Sequence, residues 1–228
     1  LRKTGKPVVF VLCTGSSLGL EQDEKNYDAL LNGWYGGQSS GTAVADVLAG
    51  DYNPSGKLPI TFYKNLEQLD NALSKTSKLQ GFENYDMQGR TYRYMTETPL
   101  YAFGHGLSYS KFNYGTAKLS KNTISSNENI TITIPVTNTS ERDGEEVVEV
   151  YVKRNSDVLA PVKTLRAFDR VFIKSKETKN IQLTISEESF RFYDEKADDL
   201  VSKSGDYTIF YGGTSDNGGL KSLPLKIK

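Results

Sequence analysis

From Phe112 onward the chain alternates apolar and polar residues with a period of two, and this is the pattern that most restricts its fold. Ile130, Ile132, Ile134 and Val136 alternate with Thr131, Thr133 and Pro135. Val148, Val150 and Val152 alternate with Glu149 and Tyr151, and Ile181, Leu183 and Ile185 with Gln182 and Thr184. Successive side chains of a strand point to opposite faces, so each run has one apolar face. Residues 207–211 and 223–227 read as late strands. Turn clusters at 127–129, 140–144 and 202–205 separate the runs.

This pattern predicts about seven strands in roughly 115 residues, which fits an immunoglobulin-like sandwich. A single cysteine rules out the Cys…Trp…Cys core, so the fibronectin type III version fits better. Pro135 inside a strand pattern predicts an edge position or a bulge there.

The first 63 residues follow a different rule. Val8-Val-Phe-Val-Leu12 reads as a continuous apolar strand buried on both faces, followed by the turn Thr14-Gly-Ser-Ser17. Small and apolar residues at helical spacing from Ser40 to Leu48 predict a short buried helix, with serines to cap its start and Gly50 to stop it. Asp51 to Gly56 is dense in turn formers, and residues 58–63 read as another strand. Two strands and one helix are only part of an α/β layer, which needs several strands covered on both faces. The chain is therefore expected to start inside a domain. Residues 64–111 are polar, then rich in Tyr, Gly and Arg, and read as a long connecting arm; loops of this length are uncommon unless functional or packed on something else. The expected fold is mixed: an incomplete α/β portion at 1–63, the arm at 64–111, and an all-β sandwich at 112–228.

Composition removes several functions. The chain has 28 Lys+Arg against 28 Asp+Glu, so no basic field exists for a phosphate backbone, and nucleic-acid binding is not expected. One His and one Cys provide neither a disulfide nor a zinc site. The longest apolar run, Val8 to Cys13, falls well short of the roughly 20 residues that span a bilayer, and the basic N-terminus does not read as a signal peptide. Hydrophobic content is 37% with 14 tyrosines counted in it, which predicts a modest core that leans on a partner.

Several motifs could carry chemistry. Gly15-Ser-Ser-Leu-Gly19 matches G-x-S-x-G after a strand, with His105 downstream in the order of an α/β-hydrolase. A Ser17 nucleophile needs a mobile imidazole oriented by an acid, whereas His105 lies in a tight Phe-Gly-His-Gly turn; an ordinary strand-to-loop turn is the competing reading. Gly36-Gly-Gln-Ser-Ser-Gly-Thr42 is similar to a phosphate loop without its lysine, and otherwise is a glycine-rich turn into a helix. Cys13 reads as a small core residue. The acidic pairs Asp23-Glu24, Glu145-Glu146 and Asp198-Asp199 point apart along the chain and read as solvated. Trp34, Tyr35 and the Arg90-Thr-Tyr-Arg-Tyr94 segment could offer aromatic faces and guanidinium forks to a sugar, or could pack the arm on a neighbouring domain.

Taken together, the motifs resemble the C-terminal end of glycoside hydrolase family 3 enzymes. The stretches that carry the resemblance are Gly5-Lys-Pro-Val-Val-Phe-Val-Leu12, Trp34-Tyr-Gly-Gly-Gln38 with Ala45-Asp-Val-Leu48, and Gly50-Asp-Tyr-Asn-Pro-Ser-Gly-Lys-Leu-Pro-Ile-Thr-Phe62. They continue with Gly89-Arg-Thr-Tyr-Arg-Tyr94, Pro99-Leu-Tyr-Ala-Phe-Gly-His-Gly-Leu-Ser-Tyr109, Pro161-Val-Lys-Thr-Leu-Arg-Ala-Phe168 and Phe192-Tyr-Asp194. Where the family commonly has Pro-Gly-Gln-Glu-Gly-Gly, this chain has Gly36-Gly-Gln-Ser-Ser-Gly41, and His105 stands where Tyr is common.

The resemblance implies a barrel, an α/β sandwich domain and a fibronectin type III-like domain, joined by an arm. It implies a retaining exo-acting β-glycosidase, β-xylosidase first and β-glucosidase second, acting on β-linked oligosaccharides without a metal or organic cofactor. The nucleophile Asp and the acid/base Glu of the family have no matching motif here, so no catalytic residue is expected in this chain. Trp34, Gln38 and Arg90 are the expected substrate-binding residues, and this chain is expected to pack on the catalytic barrel. The resemblance also implies a periplasmic or secreted location. Two other readings stay open: a carbohydrate- or protein-binding β-sandwich module, and a serine esterase through Ser17.

Overall fold

The computed structural model describes residues 2–69, 87–157 and 160–228. Strand β1 (Val9–Leu12) pairs in parallel with β2 (Ala29–Asn32), in register from Val9 opposite Ala29 to Leu12 opposite Asn32. The short Ala-Leu-Leu-Asn run gave no sequence signal for β2. Burial of β1 on both faces is not found, since Val9 is 45% and Phe10 37% exposed. The physical reason is that a face is buried only where another layer lies over it, and the described residues do not place a layer on both faces of this two-stranded sheet.

Helix α1 (Ser40–Ala49) forms where the spacing predicts it and stops at Gly50, whose φ of 83° is the left-handed geometry that glycine adopts without strain. Two expectations for it fail. None of its residues is buried, and Ser39 at the N-cap makes no side-chain capping bond. The predicted strand at 58–63 does not form: residues 59 and 60 bend, and the segment makes only an isolated bridge, Phe62 opposite Tyr101. Leu58 N bonds His105 O at 2.9 Å and Phe62 N bonds Tyr101 O at 2.9 Å, while Pro59 between them has no donor to extend a ladder. Of the arm, residues 70–86 lie outside the described residues, and the remainder carries the one-turn helix α2 (Thr91–Tyr94).

The third part is the predicted sandwich, built from more strands than the seven expected. They are β3 (Phe112–Tyr114), β4 (Lys118–Leu119), β5 (Thr123–Ile124), β6 (Ile130–Asn138), β7 (Gly144–Arg154), β8 (Thr164–Ile173), β9 (Thr178–Ile185), β10 (Arg191–Asp194), β11 (Asp199–Ser202), β12 (Gly205–Gly212) and β13 (Lys221–Ile227). One sheet has the order β5-β13-β12-β7-β8; in the other, β6 lies between β9 on one side and β3 and β4 on the other. β10 and β11 form a separate hairpin. Strand β8 escaped the alternation rule because its outer positions include Phe168 and Phe172, which stand 65% and 45% exposed.

Ile132, Ile134, Val136, Val148, Val150, Val152, Ile185 and Ile209 are fully buried between the sheets. Two core tyrosines keep their hydroxyls paired, as buried phenols require: Tyr207 donates to Lys203 O at 2.7 Å, and Tyr211 donates to Gly115 O at 3.2 Å. Pro135 corrects an expectation. Strand β6 is paired on both sides without a bulge opposite β9. The Pro135 carbonyl accepts from Gly115 N at 2.8 Å, so its missing donor faces the same way, into the gap between β3 and β4 where no ladder acceptor waits.

Candidate functional site

The serine motif lacks its architecture. Residues 13–23 after β1 are loop and turn, leading to a 3₁₀ turn at Glu24–Asn26 rather than to a helix, so Ser17 sits on no strand-to-helix elbow. His105 stacks on Tyr101 with ring centroids 5.1 Å apart, and burial, aided by the Lys57 charge, holds its pKa below the ordinary value. Among the described residues no hydrogen bond joins Ser17 to His105. Cys13 is exposed, not a core residue, because it lies one position past the strand pairing. The glycine-rich stretch is the turn from β2 into α1, with Ser40 N bonded to Gly37 O at 3.0 Å.

The three expected sugar contacts occupy separate places. Trp34 lies in the loop after β2 and meets Phe62 edge-on at 6.3 Å. Gln38 is exposed in the turn before α1. Arg90 precedes α2, where Thr91 N donates to the Tyr63 hydroxyl at 2.9 Å and Tyr92 N to Thr61 Oγ1 at 3.1 Å. Trp34 and the start of α2 thus flank the same short segment, 61–63, whereas no described contact draws in Gln38. Trp34 (φ 52°) and Thr91 (φ 53°) are non-glycine residues in left-handed conformations, a strain that persists where surrounding structure over-determines the backbone.

The titratable groups with the strongest perturbation lie elsewhere, at the seam between the first portion and the sandwich. Lys57 Nζ stands 3.4 Å from Glu146 Oε2 and donates to Gly106 O at 3.2 Å, while Tyr114 donates to Glu146 Oε1 at 2.8 Å. Tyr151 donates to Glu149 Oε2 at 2.6 Å. Burial pushes both carboxyls above the usual range and outweighs what opposes it, chiefly the Lys57 charge at Glu146 and the Tyr151 hydrogen bond at Glu149. Two carboxyls raised together would suggest an acid/base pair, but there is no room for a substrate. A Cβ on Gly104 would stand 2.4 Å from Glu149 Oε2, and one on Gly213 would stand 2.2 Å from Glu146 Oε1. This is a structural clamp. The sequence holds one trace of it: Glu146 occupies the apolar register of Val148, Val150 and Val152.

The clamp has a pH consequence. A carboxyl raised on folding contributes stability that is complete below its unfolded pKa and is lost as pH rises through the folded value. Glu149→Gln, neutral at every pH and still an acceptor for Tyr151, is expected to raise the unfolding midpoint at pH 8 and to match the parent near pH 4. A thermal unfolding series over that range checks it; a Gln variant less stable at pH 8 contradicts the assignment.

Asn53 forms the second half of the seam. Its Nδ2 donates to Ser110 Oγ at 2.9 Å and Asp143 O at 2.8 Å, and its Oδ1 accepts from Ser108 Oγ and Tyr109 N, both at 2.9 Å. Arg142 Nη2 donates to Gly50 O at 2.6 Å and its guanidinium lies 5.3 Å from the Tyr109 ring centroid. The segment before the sandwich docks on it through Tyr92, which stacks on Phe103 at 4.3 Å, meets Tyr151 edge-on at 5.8 Å, and accepts from Leu165 N at 3.2 Å. Beside Asn53 an open groove of about 450 Å³ is lined by Tyr52, Asn53, Asp143, Gly144, Glu145, Arg170 and Phe172.

Comparison with known proteins agrees with this architecture. Residues 1–109 match the glycosyl hydrolase family 3 C-terminal domain and residues 146–215 the fibronectin type III-like domain. A xylan 1,4-beta-xylosidase of Xylanibacter ruminicola is 41% identical over 227 residues, covering 100% of this chain and 25% of its own length. A beta-xylosidase of Formosa agariphila is 35% identical, covering 100% of this chain and 31% of its own. A periplasmic beta-glucosidase of Salmonella typhimurium is 35% identical, covering 93% and 28%. Among solved structures, a beta-glucosidase from Listeria innocua in complex with isofagomine superposes with a TM-score of 0.80 at 30% identity, over 99% of this chain and 32% of that one. The beta-glucosidase 3B of Thermotoga neapolitana superposes at 0.83 with 28% identity, over 99% and 32%. The chain thus spans about a quarter to a third of the length of these relatives. With the two family matches at residues 1–109 and 146–215 and the fold shared over nearly all of its residues, the chain belongs to glycoside hydrolase family 3, of which it carries the C-terminal domain portion and a fibronectin type III-like domain.

Proposed function

We propose that this chain is the C-terminal scaffold of a retaining, exo-acting β-glycosidase, a β-xylosidase in first place and a β-glucosidase in second, that releases terminal sugars from β-linked oligosaccharides. The observation that carries the reading is the match along the whole chain to a relative named as a xylan 1,4-beta-xylosidase, at 41% identity. On this proposal the division is 1–63 for the α/β portion, 64–111 for the arm and 112–228 for the fibronectin type III-like sandwich.

Retention needs two carboxyls about 5 to 5.5 Å apart on either side of the scissile bond. The perturbed carboxyls of this chain, Glu146 and Glu149, are sealed in the clamp, which favours a catalytic pair on parts of the protein outside it, including the barrel on which this chain packs. What the chain brings to the sugar is positional: the Trp34 indole as an apolar face, the Gln38 amide as a hydrogen-bonding group, and the Arg90 guanidinium as a fork for hydroxyl oxygens. The strained backbone at Trp34 and Thr91 supports a clamp of Trp34 and the start of α2 around residues 61–63, with Gln38 outside it. A periplasmic or secreted location is proposed with it, in keeping with a relative named as periplasmic.

The test is para-nitrophenol release. The isolated chain is expected to release none from aryl β-xyloside, β-glucoside or acetate, and the full-length parent is expected to prefer the xyloside. Glycoside turnover by the isolated chain would place the catalytic pair within it, and ester turnover lost in Ser17→Ala would restore the esterase reading.

A further inference from the structure

The groove at the seam is built differently from the clamp beside it. Phe172 and Tyr52 line it and stand 45% and 47% exposed, and its polar groups are already held in place. Arg170 Nη2 donates to the Tyr52 hydroxyl at 2.8 Å and pairs with Glu145, whose Oε2 also accepts from Ser55 Oγ at 3.3 Å. Asp143 Oδ1 accepts from Ser175 N at 2.7 Å, and Asn53 is fixed by its four bonds. An ionised carboxylate offers about four acceptor sites, so Asp143 and Glu145 keep capacity beyond these bonds.

This lining selects its ligand by chemistry. Two carboxylates against one guanidinium, itself engaged, repel phosphates and acidic chains. Two rings separated by polar groups do not form the continuous apolar stripe that an amphipathic helix requires. A pyranose fits both demands, because its axial C–H face lies on an aromatic ring while its hydroxyls donate to carboxylates and accept from Arg170. The groove is open, with a volume of about 450 Å³, so a chain of sugar rings would lie across it rather than inside a closed pocket, and it lies at a seam, where ligand sites are favoured. Phe168, 65% exposed and two positions before Arg170 on the same face of β8, extends the platform by about 13 Å from Phe172.

We propose that the groove between residues 52–53 and strands β7 and β8 binds a neutral β-linked oligosaccharide, with sugar rings laid on Phe172 and Tyr52. The inference rests on the glycosidase reading for the choice of sugar, not for the site.

Xylohexaose and cellohexaose are titrated into the ¹⁵N-labelled 228-residue chain, and amide shifts are followed at millimolar sugar. Shifts clustered at residues 52–53, 143–145 and 168–172 are the expected result, with Phe172→Ala weakening the better sugar at least about tenfold and Phe172→Tyr restoring it. Tyr193→Ala, which removes an exposed ring on the β10–β11 hairpin, should bind as the parent does. No shifts with either sugar, shifts confined to residues 34–38 and 90, or a folded Phe172→Ala that binds normally would each overturn the proposal. Loss of the glycosidase reading shows separately, as a full-length parent that turns over neither aryl glycoside while the groove still binds.

Discussion

Lys57→Met will destabilise the chain by about 3–5 kcal/mol at pH 8, the scale measured when one partner of a buried ion pair is removed. The lysine side chain is 13% and the Glu146 side chain 8% exposed, so little water reaches the pair. Methionine fills the stem but leaves Glu146 and Glu149 with two phenol donors and no cation. Both carboxyls then rise further above their ordinary values, and the chain takes up protons on folding across a wider range. The sign follows: the deficit is greatest where both carboxyls are ionised and shrinks as pH falls toward their unfolded values. Urea unfolding at pH 8 and pH 5 reads this directly. An equal loss at both values would mean that Lys57 acts by packing alone, and a loss under about 1 kcal/mol would reduce the clamp to a surface pair.

The second large effect is expected at Gly106. A Cβ there would stand 2.1 Å from the backbone carbonyl oxygen of Gly56 and 3.0 Å from Lys57 Cδ. Backbone cannot swing aside as a side chain can. Gly106→Ala must therefore separate the Phe-Gly-His-Gly turn from the Asn-Pro-Ser-Gly turn, and with it the bonds from Leu58 N to His105 O at 2.9 Å and from Lys57 Nζ to Gly106 O at 3.2 Å. The expected cost is about 3 kcal/mol, at the upper end of overpacking penalties. Gly37→Ala is the control, since its Cβ would meet nothing within 4 Å. Equal unfolding midpoints for the two variants would contradict the close approach.

Both predictions concern the joint between the two parts of the chain, and the sequence was least legible there. The sandwich core could be read from Ile130 to Ile227 because a strand buried on one face repeats every two residues. Strand β8 was missed because Phe168 and Phe172 place apolar rings on its outer face, where the alternation rule expects polar residues. Helix α1 was legible in its span but not in its burial, since spacing tells which residues share a face and not whether anything covers it. At Pro135 the alternation rule predicts an edge or a bulge, and only the neighbouring strands reveal that the missing donor points into a gap inside the sheet.

The candidate sites divide along the same line. Trp34, Gln38 and Arg90 are the sugar contacts that the family resemblance implies, and the fold brings Trp34 and the start of α2 to either side of residues 61–63 without drawing in Gln38. The clamp and the groove join residues far apart in the chain: Lys57 to Glu146, Asn53 to Asp143, Tyr52 to Arg170. Local periodicity determined the apolar faces of the core strands and the span of α1, Gly50 its stop, and composition the balance of charge. The tertiary structure alone decided which charges lose their water and which aromatic rings keep theirs, because burial depends on the segments that meet across the seam, and no short window of sequence contains both.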